Sequence, residues 1–301
     1  MAVGDIITAA RYNNLQSRVA TVIGTGSGDS GYGQSLNSSQ VATSEVVTAT
    51  HMTLLFADLD AGRKHQTNVG TTEIALIAAT DIIEDANNIN KKGVAEYENL
   101  TTTLETNRFL CEANQATVES PITGAYSVAW NGQLDHIVNV TFTDSNHARN
   151  FFNAGGIIRF AANITPVGSE SKTIDWATML ANMEVIKFDY FHTHNGAGSG
   201  TGAAIGFHQL TTSYQQIFDK QGTGQYIENH YIIEAKGNVA TPDVVTFRIN
   251  FNDDDPTDPG TPTDEFVTGT LTSLITQFRA TGVNVSVPTP TYANDGAGQL
   301  T

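Results

Sequence analysis

A segment near the start of the chain recurs forty positions later. Gly4-Asp5-Ile6-Ile7-Thr8-Ala9-Ala10-Arg11-Tyr12-Asn13-Asn14-Leu15 returns as Ser44-Glu45-Val46-Val47-Thr48-Ala49-Thr50-His51-Met52-Thr53-Leu54-Leu55. Each copy sets an acidic residue and two β-branched residues before a threonine, followed by a run with helical spacing of its apolar positions. A threonine at that place can cap a helix, because its hydroxyl accepts a hydrogen bond from an unpaired N–H of the first turn. A short strand–cap–helix unit is too small to bury its own apolar stripe, so it needs another copy or another subunit. The stripes are Tyr12, Leu15 and Val19 in the first helix and Met52, Leu55 and Leu59 in the second. These six are the expected subunit-docking residues.

The spacing predicts a first helix over 8–23, ended by Gly24, with the glycine-rich run 24–33 as a flexible connector. A second helix starts at Thr48, and a degraded third copy lies at 76–80. A longer stripe, Ile82, Ala86, Ile89, Gly93, Tyr97, Leu100 and Leu104, fits either a coiled-coil seam or one amphipathic helix docked on its own domain. The second fits better, since Ala and Gly make a weak zipper.

After Pro121 the texture changes to alternation. Val138, Val140 and Phe142 alternate with polar neighbours, Asp144 caps a short helix through Phe152, and Gly155-Gly156 ends it before a strand over 157–164. A helix over 174–183 and a strand over 185–190 follow, then strands over 226–236, 244–251, 267–278 and 283–291. The predicted fold class is α+β. A helical N-terminal repeat and docking region (1–120) precedes a β-rich domain (121–301), a mainly antiparallel β-sandwich with short inserted helices.

Thirty-one acidic against fifteen basic residues give a net charge of −16, and no Lys/Arg cluster is present to meet a phosphate backbone. Nucleic acid is therefore not an expected direct partner. Cys111 is the one cysteine, which excludes an intramolecular disulfide and reads as a structural thiol. No signal-peptide pattern or bilayer-length apolar run occurs, so synthesis in a host cytoplasm without membrane insertion is expected.

Several motifs touch on chemistry. Gly26-Ser27-Gly28-Asp29-Ser30-Gly31 matches a dinucleotide-binding pattern in letters, but it follows a helix where phosphate binding needs a preceding strand. His192-Thr193-His194 places two imidazoles on one side of a strand. Symmetry copies would then offer an axial transition-metal site in an oligomer, with His208 as the local third ligand. No other cofactor is expected. The loop with Asp253, Asp254, Asp255 and Asp258 departs from the EF-hand template and reads as a solvated hairpin tip. Paired carboxylates lie on helix faces with nothing to raise a pKa, so no catalytic residue and no enzymatic activity are expected.

The repeated Gly4–Leu15 unit resembles the N-terminal helices of virion proteins from contractile-tailed bacteriophages, especially those infecting marine cyanobacteria. The sharper likeness is the segment 141–160, TFTDSNHARNFFNAGGIIRF, joined by 206–218 and 267–272. The resemblance implies a structural component of the neck, tail, baseplate or fibre, built as a homo-oligomer. Its expected partners are other copies, as a trimer or hexamer, and other virion proteins. His147 and Arg149 are expected to face outward on the short helix. The alternative is a receptor-binding adhesin whose β-domain binds host-surface glycan through Tyr190, Tyr214, Tyr226, Tyr231 and Trp176.

Overall fold

The computed structural model describes residues 7–81, 83–255 and 265–300. The first three residues of the repeated Gly4–Leu15 unit, Ile82 of the long stripe, and Asp258 of the acidic loop lie outside them. Five α-helices and eleven strands occur among the described residues, a mixed α+β chain with two antiparallel sheets. It divides into two compact units. The first takes Met1–Thr117, Arg149–Gly156 and Arg279–Pro288, and the second takes Val118–Ala148, Ile157–Phe278 and Thr289–Thr301.

The first unit is built on α1 (Ala9–Ile23), α2 (Ala49–Thr67) and α3 (Val94–Thr106). Both predicted caps form. Thr8 accepts from Arg11 N at 3.2 Å, and Thr48 accepts from His51 N at 3.4 Å while His51 Nδ1 accepts from Thr48 N at 3.1 Å. The apolar stripes then turn inward. Tyr12, Leu15, Val19, Met52, Leu55 and Leu59 are all buried, with Val94, Tyr97, Leu100 and Leu104 of α3. At roughly 1.5–3 kcal/mol for each large side chain removed from water, the three stripes supply one another's cover. The expected docking role of those six residues is therefore corrected: this chain covers them itself. A Cβ on Gly62 would lie 2.6 Å from Leu104 Cδ1, so a larger residue there would push that side chain aside where α2 meets α3.

The predicted flexible connector is packed instead. Tyr32, Gly33 and Gln34 donate to the carbonyls of Val22, Gly24 and Ile23 at 2.8–2.9 Å, occupying acceptors that the end of α1 would otherwise leave open. Tyr32 is buried. The region 76–80 is not helical, and α3 begins only at Val94. Before it, Asn87 Oδ1 accepts from the backbone N–H groups of Ile89 and Asn90, and Lys91 takes φ +59. That turn chemistry overrides the periodicity and leaves Ile89 96% exposed, so the coiled-coil seam does not form.

The remaining elements, in chain order, are β1 (Ala116–Tyr126), β2 (Gln133–Thr141), α4 (Ser145–Asn153), β3 (Ile157–Pro166), α5 (Ser171–Asn182), β4 (Ile186–Phe188), β5 (Thr193–His194), β6 (Thr201–Gly202), β7 (Gln215–Gln221), β8 (His230–Gly237), β9 (Val244–Asn252), β10 (Gly269–Ala280) and β11 (Thr291–Asn294). One sheet runs β1-β10-β3-β4-β5 and the other β11-β2-β9-β8-β7-β6. The predicted strand over 283–291 is absent apart from its last residue, which opens β11; β1 and β7 were not predicted. In the second unit, Ile158 and Phe160 of β3 and Val245, Phe247, Ile249 and Phe251 of β9 are buried. Phe247 meets Phe160 and Phe188 at ring-centroid distances of 5.0 and 5.1 Å, edge to face.

Candidate functional site

Within the second unit, β5 sets Thr193 inward and leaves His192 and His194 exposed on either side of it, as strand alternation requires. They line an open cleft of about 410 Å³ with Asp189, Gly202, Ala203 and Ala204. Asp189 organises its rim: Oδ1 accepts from the backbone N–H groups of Phe191 and His192 at 2.9 and 2.8 Å, and Oδ2 lies 3.6 Å from His194 Nε2. Thr193 Oγ1 donates to Ile205 O at 2.9 Å, fixing the strand between the two imidazoles. His208 is not among the lining residues and packs its ring against Phe191 and Phe207. Among the described residues, no three His, Cys, Asp or Glu side chains stand close enough together to hold a metal.

The acidic loop departs most from its sequence reading. Asp253 and Asp255 are buried, so neither sits on a solvated hairpin tip, and Asp254 between them is exposed. Their side chains approach Lys172, at the start of α5, with Nζ 3.4 Å from Asp253 Oδ2 and 3.6 Å from Asp255 Oδ2. Lys172 went unnoticed in the sequence. The signal was parity: 245, 247, 249 and 251 are the inward positions of β9, and 253 and 255 continue them into the core.

The other singled-out residues pack. His147 is buried, correcting its outward placement; Thr143 N donates to its Nδ1 at 3.0 Å, and its ring meets Phe142 at 5.2 Å. Arg149 is half-buried and donates to Thr25 O at 2.7 Å. Burial pushes the Cys111 thiol up to about 12, far from the range of a reactive thiolate. Gly155, at φ +77, lies against Cys111, where a Cβ would come within 2.6 Å of the cysteine Cβ. The run 26–31 forms tight turns, with Gly26, Gly28 and Gly31 at positive φ and Asp29 paired to Arg108 at 3.1 Å. It follows α1, so it lacks the preceding strand that a phosphate loop needs. Of the five aromatics considered for glycan, Trp176, Tyr226 and Tyr231 are buried. Tyr214 is half-buried, with Lys236 Nζ and the Arg248 guanidinium 4.4 and 4.5 Å from its ring centroid. No helix among the described residues is long and apolar enough to cross a membrane.

Comparison with protein-family profiles, with curated proteins and with solved structures returned no match.

Proposed function

We propose that the chain is a structural protein of a contractile-tailed bacteriophage virion, a non-enzymatic homo-oligomer of the neck, tail, baseplate or fibre. The observation that carries this reading is the segment 141–160, which resembles such virion proteins and whose distinctive residues all serve packing. Asp144 Oδ1 accepts from His147 N at 2.8 Å at the start of α4, Phe151 and Phe152 are buried, and Ile158 and Phe160 enter the core. A segment recognisable by residues that only build a strand–helix–strand unit fits a part whose work is mechanical. We further read the two sheets as a β-sandwich, on the strength of the contacts of Phe247 with Phe160 and Phe188, and the threonine-capped α1 and α2 as a duplicated unit.

Contacts with sister chains and with other virion proteins, in this reading, use surface other than the six stripe residues. The exposed His192 and His194 keep the sense of an axial transition-metal site made by several copies, with Asp189 steadying one imidazole. The adhesin alternative has less behind it, because three of its five aromatics are inside the protein.

The test uses the full chain. Washed particles of a phage whose genome encodes it should contain its peptides in multiple copies per virion. Light scattering of the purified protein should give a trimer or hexamer, and metal analysis of that oligomer reads the histidine site. Absence from washed particles overturns the proposal.

A further inference from the structure

Late in its sequence the chain changes unit twice. Arg279–Pro288 belongs to the helical unit, and Thr289–Thr301 belongs to the sheet unit again. The crossing falls in Pro288-Thr289-Pro290, which lies in no helix or strand. Two of those three residues lack the N–H that a ladder requires, so the segment stays a linker.

Beyond it, residues 291–300 lie along β2 as an arm. Thr291, Tyr292, Ala293 and Asn294 of β11 pair with Thr141, Val140, Asn139 and Val138. Asp295 N then donates to Ile137 O at 2.7 Å, and Gln299 N and Leu300 N donate to Asp135 O at 2.8 and 3.1 Å. Asp135 N in turn donates to Gln299 Oε1 at 2.8 Å. Side chains fasten the arm as well. Asn294 Oδ1 lies 3.0 Å from Nε2 of buried His136, and Tyr292 Oη donates to Gln277 Oε1 at 2.8 Å. Its buried apolar residues are Pro290 and Leu300.

Such a seat can be exchanged. The arm is held mainly by hydrogen bonds, so lifting it uncovers little apolar surface and leaves polar groups that water can meet. What it does uncover is the edge of β2, whose other side is paired with β9 from Gln133 to Thr141. A bare edge of that length takes up a strand, and the strand already fitted to it is residues 291–300. A second copy of the chain carries that same sequence. At about 3.3 Å per residue the extended arm spans roughly 40 Å, enough to reach a neighbour.

We propose that copies of this chain are linked by arm exchange, in which residues 289–300 of one copy lie along β2 of the next. Every bond named above is then re-formed in kind, and the crossing arm becomes the tie between copies. Short, stiff hinge segments invite such exchange, and Pro288 and Pro290 stiffen this one. Passed head to tail, the arms close a ring. The inference rests on the homo-oligomer part of the reading above and not on its virion part.

Thr141 and Thr291 are exposed register partners and serve as cysteine sites. In a Cys111→Ala background, full-length chains carrying Thr141→Cys are co-expressed with differently tagged full-length chains carrying Thr291→Cys. Exchange predicts a disulfide joining the two tags on a denaturing gel, lost on reduction. Both substitutions in one chain control for folding and geometry, since their thiols are consumed whichever copy supplies the arm. Under exchange that covalent product holds as many chains as the native oligomer counted by light scattering. Consumed thiols with only single-chain product, in a protein that is still oligomeric, overturn arm exchange and leave the homo-oligomer standing. A monomer by scattering overturns both. Joined tags in a protein absent from washed particles uphold the exchange and overturn the virion reading. Asn139→Cys with Ala293→Cys repeats the test at another register pair, and thiols left free at both pairs overturn the seat itself.

Discussion

The two units bury carboxylates in opposite ways. In the helical unit, Asp58 on α2 is enclosed by neutral donors. Its Oδ1 accepts from Asn37 N and Nδ2 at 2.9 and 2.8 Å, and its Oδ2 from Ser38 N and Oγ at 2.9 and 2.6 Å. In the sheet unit, Asp253 and Asp255 face the buried ammonium of Lys172, with Nζ 3.4 and 3.6 Å from their Oδ2 atoms. A carboxylate with four short donors is a structural tie: it has what water would have given it. A carboxylate beside an enclosed ammonium is instead held by opposite charge. Elsewhere the helical unit keeps ion pairs at its rim, where Arg11 meets Glu98 at 2.7 Å and Asp85 at 2.5 Å, all partly exposed.

That contrast can be broken at its strong end first. Asp58→Ala would strand the donors of Asn37 and Ser38 and should destabilise the protein by about 3 kcal/mol in urea unfolding. A cost near zero would mean that the tie is not one. Acid probes the same unit through His65, which is buried against Tyr32 with rings 4.9 Å apart. Burial pushes its pKa down from 6.5 to about 4, with a backbone hydrogen bond at Ala154 opposing. Well above pH 6.5 the ring is neutral in both folded and unfolded chains, so its titration carries no penalty. As pH falls from 6.5 toward 4 the unfolded chain takes the proton first, and stability drops by at most about 3 kcal/mol. His65→Gln should flatten that slope in unfolding curves taken from pH 7 to 4. The smallest effect belongs to the rim. Arg18→Gln breaks a pair with Glu105 that is about one-third exposed and should cost less than about 1 kcal/mol, a loss that salt further reduces.

Local signals carried the sequence reading furthest. The caps at Thr8 and Thr48 were legible because a hydroxyl three residues from its N–H partner depends on little else. The inward face of β9 was legible from Val245, Phe247, Ile249 and Phe251. Strands β1 and β7 were not: Pro121 interrupts the first, and Gln, Asp and Lys fill the second, so tertiary pairing decides both. The stripes of α1 and α2 were read as helical correctly and assigned the wrong cover, because amphipathic spacing says that a face must be buried and not by which chain. Lys172 escaped for a related reason. A lysine in a polar run looks solvated until two aspartates far along the sequence are brought against it.

The interleaving of the two units governs the order in which they can be made. Helices α1 to α3 leave the ribosome early, yet their unit also takes in Arg149–Gly156 and Arg279–Pro288. A nascent chain that has emerged only as far as residue 120 cannot complete it, and must hold unfinished apolar surface while the sheets are still being synthesised. Cutting the gene at that point should therefore yield two insoluble pieces, with neither half an independent module for grafting onto another protein.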